Sequence, residues 1–222
     1  MDVTTHHPEM NQNNTIPLTA QSSEFNLFAK NILREPSVNR ALTNLCEYHW
    51  LNANILLYVI WFAQAKFGKL QKSWLVQLLS STQSWRQQII DALKQCYVQC
   101  QKIKQKKRLK LLTSLQEEID VANEIERCLL AETLLRLSKS VRTTQQQLAD
   151  ACYNVVQYCK YGEVRLENTS LEAILFMMQF VFPGVSVLEI QATMEHAMHT
   201  AKWTQVGYSQ PPLYFAKDGV KE

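Results

Sequence analysis

An all-α fold of about eight or nine helices is what this sequence predicts, and three observations lead there. The 93 residues between Gly68 and Gly162 contain neither glycine nor proline, and proline is absent from Pro36 to Pro183. Left-handed turns draw on glycine and sharp stops on proline, so direction must change at Ser, Thr and Asn corners between helices. Apolar residues recur at spacings of three and four over most of the chain. Ser or Thr followed three residues later by Glu or Gln stands before several apolar runs, the spacing of a capping box. No pair of segments alternates like strands, although Leu213-Tyr214-Phe215 suits extended backbone.

Each element follows in order. Residues 1–21 are rich in Thr, Asn, Gln and His with no period, and read as a disordered tail. A helix over Ser23–Leu33 places Phe25, Phe28, Ala29 and Ile32 on one face. After Pro36, Ser37 is a candidate N-cap for a helix with Val38, Ala41, Leu42 and Leu45 inward. Leu51–Asn54 forms a corner. Ile55–Phe67 is apolar almost all round, which marks a central buried helix with Gly68 at its C′ position. Trp74, Leu75, Leu78 and Leu79 mark a short helix, and Ser84 with Gln87 predicts a cap for the next. From there Trp85, Ile89, Leu93, Cys96, Cys100 and Ile103 form one stripe, and Leu112, Leu115, Ile119, Ala122, Ile125 and Leu129 a second. The polar run Lys104–Arg108 between them is either a basic elbow or mid-helix. Thr113-Ser114 with Glu117 can cap the second helix, which favours the elbow. The polar stretch Ser138–Thr144 predicts a boundary, crossed by a stiff helical corner. Thr144 would cap a helix ending at Gly162, Thr169 with Glu172 one over Leu171–Phe182, and Ser186 with Glu189 a last one to about Trp203. Pro183-Gly184 is a turn, and 204–222 an extended tail. The division expected is therefore a tail at 1–21, a helical domain at 22–138, a smaller one at 144–203, and a second tail.

Composition limits the function classes. The formal charge is +3 from 23 basic and 20 acidic residues, too little for a general nucleic-acid or membrane argument. Residues 1–140 carry 17 basic and 12 acidic groups and the remainder 6 and 8, so the halves differ in sign. Six cysteines without a CxxC pair read as free thiols packed as small hydrophobes, in a reducing compartment. The longest apolar run, Ile55–Ala63, falls well short of the ~20 residues that span a bilayer. The N-terminus lacks the apolar stretch of a secretory signal. The expected location is the cytoplasm, with recruitment to the inner membrane through partners rather than direct insertion.

Catalytic motifs are missing: the chain has no GxSxG, no phosphate-binding glycine loop and no Glu-x-x-His pair. No catalytic, cofactor-binding or metal-binding residue is assigned, and no cofactor is expected. His196 and His199 share a helix face, which reads first as a polar surface. Lys102, Lys104, Lys106, Lys107, Arg108 and Lys110 put six cations in nine residues. Such a cluster is a solvated face, a protein-docking surface beside the acids Glu117, Glu118, Asp120, Glu124 and Glu126, or a phosphate-binding patch for nucleic acid. No aromatic lies within it to stack on bases. Ile174–Phe182 is dense in Met and Phe. It reads as a core helix, or as an adaptable partner surface through Phe176, Met177 and Phe180. Tyr208, Tyr214 and Phe215 in the tail are expected to pack on this protein or on a partner.

The first part of the chain resembles DUF2390, an uncharacterised proteobacterial family. The resemblance rests on Phe25, Phe28 and Ala29, on Pro36 and Val38 with Ala41, Leu42 and Leu45, and on Asn54-Ile55-Leu56-Leu57-Tyr58 with Trp61 and Ala63. It continues through Trp85-Arg86, Ile89-Ile90, Leu93 and Lys94 into the stretch Glu117–Leu129. It covers about residues 23–135 and departs where Glu35 and Ser37 replace the family's usual Arg and Gly. That family supplies no activity. In size, helicity and Gln/Asn/Lys content the whole chain is similar to the small accessory subunits of type IVB (Dot/Icm) coupling complexes. This implies a non-enzymatic adaptor whose partners are other coupling-complex subunits and effector proteins. The alternative is a nucleic-acid-binding or regulatory helical protein working through Lys102–Lys110.

Overall fold

The structure, a computed structural model, describes residues 20–104, 108–134, 137–164 and 166–202. Helices α1 (Ala20–Arg34), α2 (Pro36–His49), α3 (Ala53–Gln64) and α4 (Lys72–Trp85) lead into a π-helical turn, Arg86–Ile90. Then follow α5 (Asp91–Gln101), α6 (Arg108–Thr133), α7 (Thr144–Tyr161), α8 (Asn168–Val181) and α9 (Val187–Thr200). No strand occurs among the described residues, so the all-α expectation holds. The tail residues 1–19 and 204–222, with Lys106 and Lys107, lie outside them. Ala20 already belongs to α1, so the first helix starts earlier than Ser23.

The chain is organised around α3. Every residue from Asn54 to Ala63 is buried, as an all-round apolar helix requires. Asn52 caps it, accepting hydrogen bonds from the amides of Asn54 and Ile55. Aromatic rings fill the space beside it: Phe25 meets Tyr58 edge-on at 5.0 Å between centroids, and Phe62 stacks on Phe67 at 5.1 Å. Helix α7 lies against α3, with α9 packed on α7 and α8 on α2. Burial of Leu56, Leu57, Val155, Val156, Ile174 and Ile190 belongs to a single continuous core.

That continuity corrects the expected division at 138–144. The C-terminal helices complete the core of the N-terminal ones instead of enclosing their own. Nor is the connection a helical corner. Residues 137–143 are non-helical and tied down: Ser140 N–H donates to the Lys66 carbonyl at 3.0 Å, and Arg142 pairs with Asp150 at 2.6 Å. Asn154, fully buried on α7, donates to the carbonyls of Val59 and Gly68 and accepts from Leu70 N–H. One side chain thereby satisfies two backbone groups of the loop that follows α3 and ties that loop to the Val59 carbonyl within the helix.

Several caps sit elsewhere than expected. Pro36 is the first residue of α2, where its fixed φ suits the helix and its missing N–H is not needed; Ser37 instead donates to Glu35. Helix α3 ends at Gln64, and Lys66 takes the left-handed conformation (φ 72°) intended for Gly68. Gly68 is left-handed as well (φ 92°), and a Cβ there would stand 2.5 Å from the Arg142 guanidinium. Thr143, not Thr144, makes the capping box of α7 with Gln146, whereas Ser186 caps α9 through Glu189 N–H as expected. Thr169 lies inside α8, and Thr113-Ser114 inside α6. Ser84 caps nothing, because the backbone stays helical through Trp85 and Arg86. The π turn there adds a residue to one turn of helix. Within it Ile90 is fully buried while Ile89 is 38 % exposed, so the expected stripe passes through Ile90 instead of Ile89.

Candidate functional site

The π turn turns Arg86 onto α6. Its guanidinium grips Glu126 bidentately, Nε to Oε1 at 2.9 Å and Nη2 to Oε2 at 2.6 Å, and Nη2 also donates to Asn52 Oδ1 at 2.9 Å. Glu126 is completely buried, and also accepts from the side-chain amides of Asn52 and Asn54. Arg127 reaches the other way, donating to Asn54 and to Asn26 of α1. The Tyr158 hydroxyl, from α7, accepts from Asn52 N–H at 2.8 Å, and Trp85 Nε1 donates to the Ala122 carbonyl at 3.0 Å. Side chains of α1, α6, α7, the π turn and the α3 cap therefore meet in one hydrogen-bonded junction.

This junction positions helices; it is not built for proton transfer. Four donated hydrogen bonds occupy the Glu126 carboxylate, leaving no free lone pair aimed at a substrate. Burial pulls the Arg86 pKa down, but the Glu126 carboxylate beside it, joined by weaker pulls from Asp91 and Tyr158, offsets that, and the pKa ends raised. Burial pushes the Tyr158 hydroxyl well above 10. Sequence reading placed Glu126 in an exposed acidic block and assigned no role to Arg86 or Asn52. A signal was present: Ile119, Ala122, Glu126 and Leu130 recur at helical spacing, which sets Glu126 on the buried stripe of α6. The acids Glu117, Glu118 and Asp120 are exposed, and Glu124 pairs with Lys30 at 2.6 Å.

The basic cluster lies at the far end of an arm. Helix α5 packs on α6, and Ile90, Cys100, Ile119 and Ala122 form the buried seam along the pair. Among the described residues, none of 91–118 joins the main core. Helix α5 ends at Gln101 and α6 begins at Arg108, so an elbow separates them. Lys102, Lys104 and Lys110 are exposed. Arg108 departs from expectation: its Nη1 donates to the carbonyls of Gln101 and Ile103, both at 3.0 Å, and so fastens the elbow.

The Met/Phe helix divides by face. Ile174, Met177 and Met178 are buried in the core, which removes Met177 from the expected partner surface. Phe176 and Phe180, four residues apart and so on one face of α8, are 46 % and 42 % exposed. Val187 and Leu188 are also exposed, at the same end of the α8–α9 hairpin. Tyr208, Tyr214 and Phe215 lie outside the described residues.

Other candidate chemistry is quiet. All six cysteines are free. Burial raises the thiols of Cys46, Cys152 and Cys159 to about 12, so each stays protonated and non-nucleophilic at neutral pH. His49 pairs with Ser170 at 2.6 Å, joining α2 to α8. His196 and His199 are exposed, with His196 near Thr200 at 3.4 Å. Among the described residues no three His, Cys, Asp or Glu side chains gather to hold a metal ion, and no helix is long and apolar enough to cross a membrane. A shallow open depression of about 470 Å³ is lined by Phe67, Lys69, Trp74, Arg142 and Asp150. Its charges are engaged: Asp150 with Arg142, and Lys69 over the Tyr153 ring at 4.8 Å.

Compared with known proteins, the chain matches no family model, no curated protein and no solved structure.

Proposed function

We propose that this protein is a non-enzymatic adaptor, an accessory subunit of a larger protein assembly. The observation that carries the reading is the open apolar face of the α8–α9 hairpin. Phe176 and Phe180 stand out from a helix whose opposite side is locked into the core. A rigid helix presenting two aromatic side chains at i and i+4 is how a helix enters a partner's groove, and large buried aromatics dominate interface energetics. The rigidity comes from α2 and α9, both packed on α8. The resemblance in size and composition to accessory subunits of type IVB coupling complexes supplies the candidate assembly. In that setting the protein would hold effector-recruiting subunits in place.

Affinity purification of the tagged full chain from its own host tests this. Coupling-complex subunits should co-purify in fixed ratio, and Phe176→Ser/Phe180→Ser should lose them while keeping the wild-type unfolding temperature. Recovery of the chain only as a free monomer, or retention of the same partners by the double variant, rules the reading out.

A further inference from the structure

We propose that the tip of the α5–α6 arm is a peripheral docking site for an anionic lipid bilayer. Three lysines, Lys102, Lys104 and Lys110, are exposed at that end, and with them three large apolar side chains. Ile103 is 43 %, Leu109 69 % and Leu111 45 % exposed. A basic surface interleaved with protruding aliphatic groups is what binds an acidic headgroup layer and reaches the acyl boundary beneath it.

Two features of the arrangement select a bilayer over a partner lying along the arm. Charge is segregated along the arm's axis. Exposed acids begin at Glu117, seven residues beyond Lys110, which is about 10 Å up α6 and close to a Debye length at physiological salt. An end-on plane meets the lysines and is screened from the acids, whereas a partner laid along α6 would meet both signs. The apolar groups are also not gathered on one flank. Leu109 and Leu111 are two residues apart, about 200° around the helix. A flanking partner would cover one and leave the other in water, while a surface approached end-on takes in both. No aromatic occurs within residues 102–110 to stack on a base. With no membrane-spanning helix among the described residues, such contact would be peripheral and reversible.

Co-sedimentation of the full chain with vesicles tests the proposal independently of any protein partner. Vesicles of phosphatidylcholine with phosphatidylglycerol should bind it at low salt, and vesicles of phosphatidylcholine alone should not. Lys102→Gln/Lys104→Gln/Lys110→Gln should weaken the partitioning on the order of a hundredfold. Leu109→Ser/Leu111→Ser should weaken it while leaving its salt dependence in place. All of these positions are exposed, so unchanged circular dichroism is expected of both variants. Phe176→Ser/Phe180→Ser should bind vesicles as wild type does, which separates this site from the adaptor face. The proposal is overturned if anionic vesicles fail to bind the wild type, if neutral vesicles bind equally, or if the lysine variant binds unchanged. It is overturned too if duplex RNA or an acidic protein binds through these lysines while vesicles do not.

Discussion

The junction at Glu126 and the tip of the arm sit on the same helix and use the same kinds of residue to opposite ends. At the C-terminal half of α6, Glu126 is buried, gripped bidentately by the half-buried Arg86 and surrounded by the Asn52 and Asn54 amides. At the N-terminal half, Lys and Glu point into water, and Leu109 and Leu111 are exposed. The first arrangement holds helices in register, because every charged atom has a partner and moving any helix strands one. The second leaves side chains available to something outside. One helix thus carries a fixed end and an offered end, and the divide falls near Ile119, where the seam with α5 gives way to contacts with α1, α3 and α4.

Identical substitutions at the two ends should separate them most. Glu126→Leu removes the carboxylate that pairs with the Arg86 guanidinium and accepts from the Asn52 and Asn54 amides. Breaking a buried pair in this way costs roughly 3–5 kcal/mol. Glu118→Leu, eight residues earlier on the exposed surface, should stay within about 0.5 kcal/mol of wild type. Urea denaturation of both variants checks this. Adding Arg86→Leu to Glu126→Leu should recover part of the loss, since removing both charges strands neither. A Glu126→Leu variant within about 1 kcal/mol of wild type would show that the junction is not what fixes α6.

Apolar truncation should repeat the contrast less steeply. Leu78 on α4 is fully buried in the main core, so Leu78→Ala should cost about 2–5 kcal/mol through lost transfer energy and a cavity. Leu109→Ala removes a side chain that is 69 % exposed and should change stability by no more than about 0.5 kcal/mol. Thermal melts of the two variants decide it. If Leu109→Ala destabilises like Leu78→Ala, the tip packs within the protein and is not an offered surface.

The fold was more legible than its junction. Helix α3 announces itself, because ten consecutive buried positions need an apolar run with no polar face. Ser186 announces its cap through its own side chain and the Glu189 spacing, whereas Asn52, which caps α3, read only as part of a corner. The π turn was hidden: nothing in Arg86–Ile90 differs from an ordinary helix, and the extra residue is favoured only because it aims Arg86 at Glu126, forty residues away. That pairing is long-range, so local periodicity assigned Ile89 to the core where Ile90 belongs. Glu126 was misjudged for a related reason. Five acids occur from Glu117 to Glu126, and the last differs from the others only in sharing the helical spacing of Ile119, Ala122 and Leu130, a mark that gains meaning once the distant Arg86 is placed. The continuous core escaped for want of any local mark, since a polar stretch at 138–144 looks the same whether it separates two domains or straps one together.

The smallest expected effect tests how tightly the C-terminal helices are fastened to the N-terminal ones. His49, at the end of α2, contacts Ser170 of α8 at 2.6 Å. Burial lowers its pKa below the ordinary 6.5, against a weaker upward pull from Glu167. As pH falls, the unfolded chain therefore takes up the proton before the folded one. Stability from this residue is complete above pH 6.5 and lost as pH drops through the lowered folded value. Melting temperatures should accordingly fall between about pH 8 and about pH 5, a range in which ordinary carboxylates stay ionised. His49→Gln should flatten that slope, and should leave the stability difference between Glu126→Leu and Glu118→Leu unchanged, because the two sites share no partner. An equal slope in His49→Gln would assign the pH dependence elsewhere and loosen the α2–α8 contact from the rest of the core.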